Sequence, residues 1–148
     1  MKILADTNFL VALLDSKDSL HNKARQLSVR LEEINAEILF PDCVINEMIG
    51  VISRRLREQR RVGEIAELIE KIENDFPPSA LTWTYPTVQD EWPAILTIIR
   101  ESKGKLNFHD ALLHRTSQSL SITHVASFDA DLDAVTSWKR VTQPKDLP

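Results

Sequence analysis

The chain has 148 residues, of which 43% are hydrophobic and 27% are charged, a composition typical of a globular domain large enough to bury a core. Only three glycines occur, which excludes a glycine-rich phosphate-binding loop, and the single cysteine excludes an internal disulfide and a thiolate metal site. No apolar run approaches the roughly 20 residues that span a bilayer, and the first residues lack the pattern of a signal peptide. We therefore predict a cytoplasmic protein without a membrane partner.

Apolar periodicity and turn residues predict alternating strands and helices along the chain. In chain order they predict a strand over 3–6, helices over 9–14 and 19–34, a strand over 37–40, helices over 42–61 and 64–74, a strand over 81–85, a helix introduced by Pro86 and ending near Ser102, a helix over 107–120, a strand over 123–128 and at most a short last strand at Val141. Thr7 and Asn8 are candidate caps of the first helix. This alternation is typical of an α/β fold with a parallel sheet covered by helices on both faces. No repeat, low-complexity segment or linker interrupts it, so we predict a single domain over 1–148.

Four acidic residues occupy chemically useful places in this order of elements. Two predicted strands end at Asp6 and Asp129, and ligands of parallel sheets bind beyond the carboxyl ends of the strands. Glu47 lies near the apolar face of its helix, where a carboxylate is costly unless it is paired or bound to a metal. Asp110 follows Asn107 by three positions, which is the spacing of a capping box. Capping roles for the three aspartates and a solvated position for Glu47 remain open alternatives.

Carboxylates that converge on one site repel one another. Each pair at about 4 Å costs roughly 1 kcal/mol in water and roughly 4 kcal/mol at an effective dielectric constant near 20. A divalent cation removes this cost, and all-oxygen ligands suit Mg²⁺ or Mn²⁺. Such an ion can activate water and stabilise the charge that develops on a phosphodiester. The acids at 129, 131 and 133 resemble the start of an EF-hand loop, but Ala134 and Arg140 stand where that loop needs glycine and glutamate, so we exclude it.

One basic segment stands out in a chain whose formal net charge is −4. Residues 53–61 contain five arginines and one glutamate, and such a stripe can bind a phosphate backbone locally even in an acidic protein. By the three-and-four rule we predict that Arg54, Arg57 and Arg61 share one helix face. That face is a candidate contact for nucleic-acid phosphates, and a solvated surface or a contact with an acidic protein partner are the alternatives.

Four segments together resemble the PIN-domain ribonucleases, especially the VapC-type toxins of bacterial and archaeal toxin–antitoxin pairs. They are the opening ILADTNFLVAL at 3–13, PDCVINEM at 41–48, FHDALL at 108–113 and VASFDADLD at 125–133. Each motif is weak alone, but four in this order are specific, and together they span most of the chain. Residues 66–105 carry no motif that can be aligned.

The resemblance implies a three-layer α/β/α sandwich with a mostly parallel central sheet and a metal-dependent ribonuclease that cleaves single-stranded RNA. It maps the family's catalytic acids onto Asp6, Glu47, Asp110 and Asp129, and its metal ligands onto the three aspartates of that set. Asn8, Ser127 and Asp131 would be auxiliary polar residues. The family uses Mg²⁺ or Mn²⁺, its toxin members are inhibited by a small antitoxin, and they commonly form homodimers.

Three other functions deserve comparison. A non-catalytic PIN-like module that binds RNA or protein would keep the fold without the reaction, and a metal-dependent phosphatase would use the same acids on small phosphate esters. The pair His109–Asp110 also invites comparison with the HD phosphohydrolases, but those enzymes are all-helical, and the strands that end at Asp6 and Asp129 argue against them. We interpret His109, His114 and His124 as packing or surface residues.

Overall fold

The computed structural model describes residues 1–148, and strands and helices alternate along them as the sequence predicts. The elements are β1 (Lys2–Ala5), α1 (Thr7–Leu14), α2 (His21–Glu33), β2 (Glu37–Pro41), α3 (Asp42–Glu58), α4 (Ile65–Asp75), β3 (Leu81–Thr82), α5 (Tyr85–Glu101), α6 (Phe108–Ser119), β4 (His124–Ala126) and β5 (Lys139–Val141). Short 3-10 helices occupy Val62–Glu64, Pro78–Ala80, Ala130–Ala134 and Pro144–Asp146. None of the helices is long and apolar enough to cross a membrane.

The five strands form one sheet in the order β3-β2-β1-β4-β5, and every neighbouring pair is parallel. The chain builds outward from β1 to β3 on one side, then crosses to β4 and β5 on the other. The boundary between β1 and β4 is therefore the topological switch point, where loops diverge and leave a crevice beyond the carboxyl ends of the strands. Asp6 follows β1 at this boundary, and the segment from Ser127 to Asp129 follows β4.

Helices cover both faces of the sheet, as the central strand shows. Successive side chains of a strand point to opposite faces. Ile3 and Ala5 accordingly pack in the larger core with α1 to α4, whereas Leu4 packs in a second core with residues of the α5–α6 side such as Leu106 and Ile122. All three β1 residues are fully buried. The predicted three-layer α/β/α sandwich with a parallel sheet is thus confirmed.

The helix starts next to the sheet differ in part from the prediction. Asp6 caps α1 and accepts a hydrogen bond from the Thr7 backbone N–H at 2.7 Å, while Thr7 and Asn8 lie inside the helix. The predicted caps are wrong because Asp6 already has the extended backbone that a cap residue needs. At α6 the capping box is confirmed: Asn107 and Asp110 each accept a hydrogen bond from the backbone N–H of the other.

The largest errors in the predicted boundaries, of three residues each, are at the end of β3 and the end of α3. The strand predicted over 81–85 contains only Leu81–Thr82, because Thr84 is tied to Asp42 by its backbone and hydroxyl donors, and α5 begins at Tyr85. The helix predicted through residue 61 ends at Glu58, and Arg60 adopts a left-handed conformation with φ of 59°. Because the helix ends before Arg61, that residue does not share a helix face with Arg54 and Arg57 as predicted.

Candidate active site

A cavity of about 330 Å³ opens beyond the carboxyl ends of β1 and β4. Its lining residues come from the β1–α1 junction, the loop before α2, α3, the start of α6 and the segment after β4: Asp6, Thr7, Asn8, Val11, Asp18, Ser19, Leu20, Glu47, Val51, Arg55, Asn107, Asp110 and Asp129. All four predicted catalytic acids are among them. A larger cavity of about 580 Å³ beside α2 contains none of the four.

Asp6 is the most buried and most firmly held of these acids. Its side chain accepts the Thr7 N–H through Oδ1, and it accepts the Ser127 hydroxyl through Oδ2 at 2.6 Å. Its own backbone N–H donates to the carbonyl of Ala126, which ties the end of β1 to β4. Both carboxylate oxygens of Asp6 are therefore fixed in direction at the switch point.

Burial and neighbouring acids oppose ionisation at this site. The pKa of Asp6 is raised to about 6, chiefly by burial and further by Asp110 and Asp129, while the hydrogen bonds from Ser127 and Thr7 offset part of the increase. The pKa of Asp110 is also raised, first by burial and then by Asp129 and Glu47. The acids are therefore close enough to repel one another, which is the electrostatic situation that a bound cation relieves.

Glu47 is held by two side chains that the sequence did not identify as partners. The Thr7 hydroxyl donates to Glu47 Oε2 at 2.8 Å, and His109 Nδ1 lies 3.3 Å from the same oxygen. His109 is partly exposed, which fits its interpretation as a surface residue, and its ring also contacts a cavity acid. Thr7 is the first residue of α1 and directly follows Asp6. It therefore connects Asp6, its neighbour in the chain, to Glu47, which accepts its hydroxyl hydrogen bond.

A chain of hydrogen bonds also orders the segment after β4. The fully buried Ser127 accepts the backbone N–H of Asp129 at 3.0 Å while it donates to Asp6. Asn8 accepts the backbone N–H of Phe128 at 2.8 Å. Asn8 and Ser127 thus hold the backbone that carries Asp129. Asp131 is exposed and does not line the cavity. Its backbone N–H donates a hydrogen bond to the Asp129 carboxylate, which caps the short 3-10 helix that follows.

The structure contradicts the predicted arginine face. Arg61 lies beyond α3, and its guanidinium binds Glu64 and the buried Asp15, so it is not available to hold RNA phosphates on a face shared with Arg54 and Arg57. Arg54 and Arg57 are exposed and lie outside the cavity. Helical spacing applies to Arg54 and Arg57, which lie within α3. It does not apply to Arg61, because α3 ends at Glu58.

Sequence reasoning missed Arg55 and Asp18, which both line the cavity. Arg55 Nη1 donates to Asp18 Oδ2 at 2.5 Å. Burial alone would raise the pKa of Asp18, but the hydrogen bond from Arg55 and that from the Leu20 N–H lower it overall. Arg55 follows Glu47 by eight positions, with Val51 midway, so helical periodicity could have identified it; no local pattern marks Asp18.

The donor set fits a small divalent cation. Carboxylates are hard oxygen ligands, and those of Asp6, Asp110 and Asp129 share one cavity, where burial and, to a lesser extent, Asp129 raise the pKa of both Asp6 and Asp110. In the structure, no three acidic, histidine or cysteine side chains lie close enough together to bind one metal ion directly. Mg²⁺ commonly keeps several waters and binds one or two carboxylates, so an arrangement of this spacing is compatible with it.

The family model of the PIN domain matches residues 3–137, and the chain therefore belongs to the PIN domain family. Among solved structures, the chain is similar to the Mycobacterium tuberculosis VapC20 toxin, described as cleaving the sarcin-ricin loop. The two share 19% identity at a TM-score of 0.63, over 90% of this chain and 94% of that one. This likeness supports the fold. No curated protein matches the sequence.

Proposed function

We propose that this protein is a metal-dependent ribonuclease that cleaves phosphodiester bonds in single-stranded RNA. One observation carries the proposal: Asp6, Glu47, Asp110 and Asp129, from four separate segments, line a single cavity at the switch point of a parallel sheet. Asp6 and Asp110 are buried and their pKa values are raised, which is costly to the fold, and such groups concentrate at functional sites. Membership of the PIN domain family agrees with this reaction class.

The four acids would divide into two roles. Asp6, Asp110 and Asp129 would hold Mg²⁺ or Mn²⁺, which when bound supplies charge stabilisation to the phosphodiester and lowers the pKa of water. Glu47 is less buried and is oriented by Thr7 and His109. It would orient the attacking water and accept its proton as one P–O ester bond breaks. Asn8 and Ser127 would hold the segment that carries Asp129, and we assign Asp131 only an auxiliary role in holding that carboxylate.

The biological setting is a further part of the proposal. Because the chain resembles a VapC toxin in fold, we propose that it is the toxin of a toxin–antitoxin pair, acts on RNA in the cytoplasm, is inhibited by a small antitoxin protein and forms a homodimer. The exposed aromatic side chains Trp83, Tyr85 and Trp92 are candidate contacts for such a protein partner.

The test is cleavage of a labelled pool of single-stranded RNA by the purified protein, with Mg²⁺, with Mn²⁺ and with chelator. Asp6→Asn and Glu47→Gln serve as variants, and a soluble phosphate ester is assayed in parallel. We expect cleavage that requires the metal and is lost in both variants, with the ester left intact.

Two other results would redirect the assignment. Hydrolysis of the ester with RNA untouched would favour a phosphatase. RNA binding by folded, partner-free protein without cleavage under any condition would favour the non-catalytic binding module.

A further inference from the structure

Arg55 is the only lysine or arginine among the residues that line the acidic cavity. Five carboxylate side chains share that space: Asp6, Asp18, Glu47, Asp110 and Asp129. A phosphodiester chain that enters the cavity is repelled by these charges, and the repulsion between groups in a partly enclosed site is stronger than in bulk water. One fixed cation inside the cavity therefore affects substrate binding more than an arginine on the open surface.

The position of Arg55 follows from helix geometry. Glu47, Val51 and Arg55 are spaced by four residues along α3, and all three line the cavity. With a rise of 1.5 Å per residue, Arg55 lies about 12 Å along the helix from Glu47. An RNA chain with one phosphodiester at the acids would therefore run along the side of the cavity formed by α3 and reach the Arg55 guanidinium.

The guanidinium of Arg55 is anchored and still has donors to offer. Its Nη1 donates to Asp18 Oδ2 at 2.5 Å and lies 3.9 Å from Asp15 Oδ2. Its Nε and Nη2 make no hydrogen bond within the protein, and its side chain is 37% exposed. Arginine presents its donors in a planar fork that matches two phosphate oxygens, so an arginine held at one nitrogen is preorganised to bind phosphate with the others.

We propose that Arg55 forms a phosphate subsite of the RNA site, binding a backbone phosphate next to the one that is cleaved while Asp18 holds the guanidinium in place. The subsite rests on the proposed ribonuclease function, and it assigns to Arg55 the phosphate contact that the sequence suggested for Arg54, Arg57 and Arg61. In this subsite the role of Asp18 is to orient the Arg55 guanidinium through their hydrogen bond.

The experiment compares Arg55→Gln, Arg55→Lys and Arg57→Gln. Arg57 is the matched control because it carries the same charge on the same helix, two residues on and about 200° around it, outside the cavity. Binding of a labelled single-stranded RNA oligonucleotide is measured with chelator present over a range of salt concentrations. The kcat and KM for RNA cleavage are measured with Mn²⁺, and thermal unfolding reports whether each variant is folded.

We expect Arg55→Gln to weaken RNA binding about ten- to hundredfold, to raise KM more than it lowers kcat, and to reduce the salt dependence of binding by about 0.7 in the logarithmic slope. Arg55→Lys should restore part of the affinity, and Arg57→Gln should lose far less. Equal losses in Arg55→Gln and Arg57→Gln, or unchanged RNA binding in folded Arg55→Gln, would overturn the subsite. A wild-type protein that binds RNA but does not cleave it would instead refute the proposed function, while the binding comparison would still decide the role of Arg55.

Discussion

Ser127 donates a hydrogen bond of 2.6 Å to Asp6 Oδ2, although the two residues are 121 positions apart in the chain. The bond joins the end of β4 to the end of β1 across the switch point of the sheet. The same hydroxyl oxygen accepts the Asp129 N–H, so one buried side chain fixes the positions of two of the four acids. Ser127 is therefore a positioning residue for the candidate metal site.

Ser127→Ala should weaken both the fold and the ionised form of Asp6. The variant leaves a buried carboxylate oxygen and a backbone N–H without their partner, which costs about 1–3 kcal/mol of unfolding free energy. Since the hydrogen bond from Ser127 lowers the pKa of Asp6, its loss should raise that pKa further and shift the pH dependence of Mn²⁺ binding to higher pH. Urea unfolding and Mn²⁺ titrations from pH 5 to 8 measure the two effects.

Ser119→Ala is the matched control for Ser127→Ala. Its hydroxyl donates only to the carbonyl of Thr116 on the exposed end of α6. We expect unfolding free energy within about 0.5 kcal/mol of wild type for this variant, as for most surface substitutions. A pH profile of Mn²⁺ binding that is the same in Ser127→Ala and wild type would contradict the positioning role.

Asp6→Asn should stabilise the metal-free protein at neutral pH. The pKa of Asp6 is raised from 3.8 to about 6 in the folded state, so the folded protein binds the proton more tightly than the unfolded chain does. The stability contributed by this group is fully present below pH 4 and is lost as pH rises through 6, a difference of about 3 kcal/mol at most. The substitution removes this penalty, so its stabilising effect should appear at pH 7 and fade at pH 4.

Urea unfolding of wild type and Asp6→Asn at both pH values, with chelator present, measures this difference. Adding Mn²⁺ at pH 7 should reverse the order of stability, because the ion binds the wild-type carboxylate and stabilises only the folded state. An Asp6→Asn variant that is destabilised equally at pH 4 and pH 7 would show that the carboxylate is not under electrostatic strain.

The four acids that line the cavity could be identified as candidates from the sequence. Parallel strands place their carboxyl ends at one edge, so Asp6 and Asp129 were expected on the same side of the sheet, and the capping-box spacing placed Asp110 at a helix start. The two aspartates lie near each other because β1 and β4 are neighbours, which only the structure shows. Glu47 was found because a carboxylate beside an apolar helix face needs a compensating partner. Periodicity and sheet topology left structural roles open for each acid, and the resemblance to the PIN-domain ribonucleases mapped the family's catalytic acids onto the same four residues.

The partners of those acids were not predictable in the same way. The contact of Thr7 with Glu47 spans 40 positions, and that of Arg55 with Asp18 spans 37, so both depend on how α1, α3 and the loop before α2 pack together. The end of α3 was also missed, because Arg60 adopts a left-handed conformation that usually marks glycine, and the nearest glycine, Gly63, lies three residues later.

Thr7→Val should slow RNA cleavage without unfolding the protein. The substitution keeps the shape of the side chain but removes the hydroxyl that donates to Glu47 Oε2. Under the proposed function we expect kcat to fall about tenfold, within the usual contribution of a positioned general base, while KM changes little. In the double variant with Glu47→Gln, the Thr7 substitution should add no further loss, because its effect acts through the carboxylate.

Thr97→Val is the control for this variant, since the Thr97 hydroxyl donates to the Pro93 carbonyl within α5, away from the cavity. Its kcat should match that of wild type. Additive losses from Thr7→Val and Glu47→Gln would show that the threonine acts on something other than Glu47.

Arg61→Met should destabilise the fold and leave RNA binding intact, which separates a structural arginine from a substrate-binding one. Arg61 donates to the buried Asp15 at 3.2 Å and to Glu64 at 2.7 Å. Removing it leaves the buried Asp15 carboxylate with the Lys17 backbone N–H at 3.2 Å and a longer contact of 3.9 Å to Arg55, and with no close ion pair. A buried charge that loses its partner is strongly unfavourable, so the midpoint of thermal unfolding should fall by several degrees.

Arg60→Met, which removes an exposed arginine with no ion pair, should leave the midpoint nearly unchanged. At a temperature where both variants are folded, they should bind single-stranded RNA equally well; a selective loss of RNA affinity in Arg61→Met at an unchanged unfolding midpoint would restore Arg61 to the RNA-binding surface.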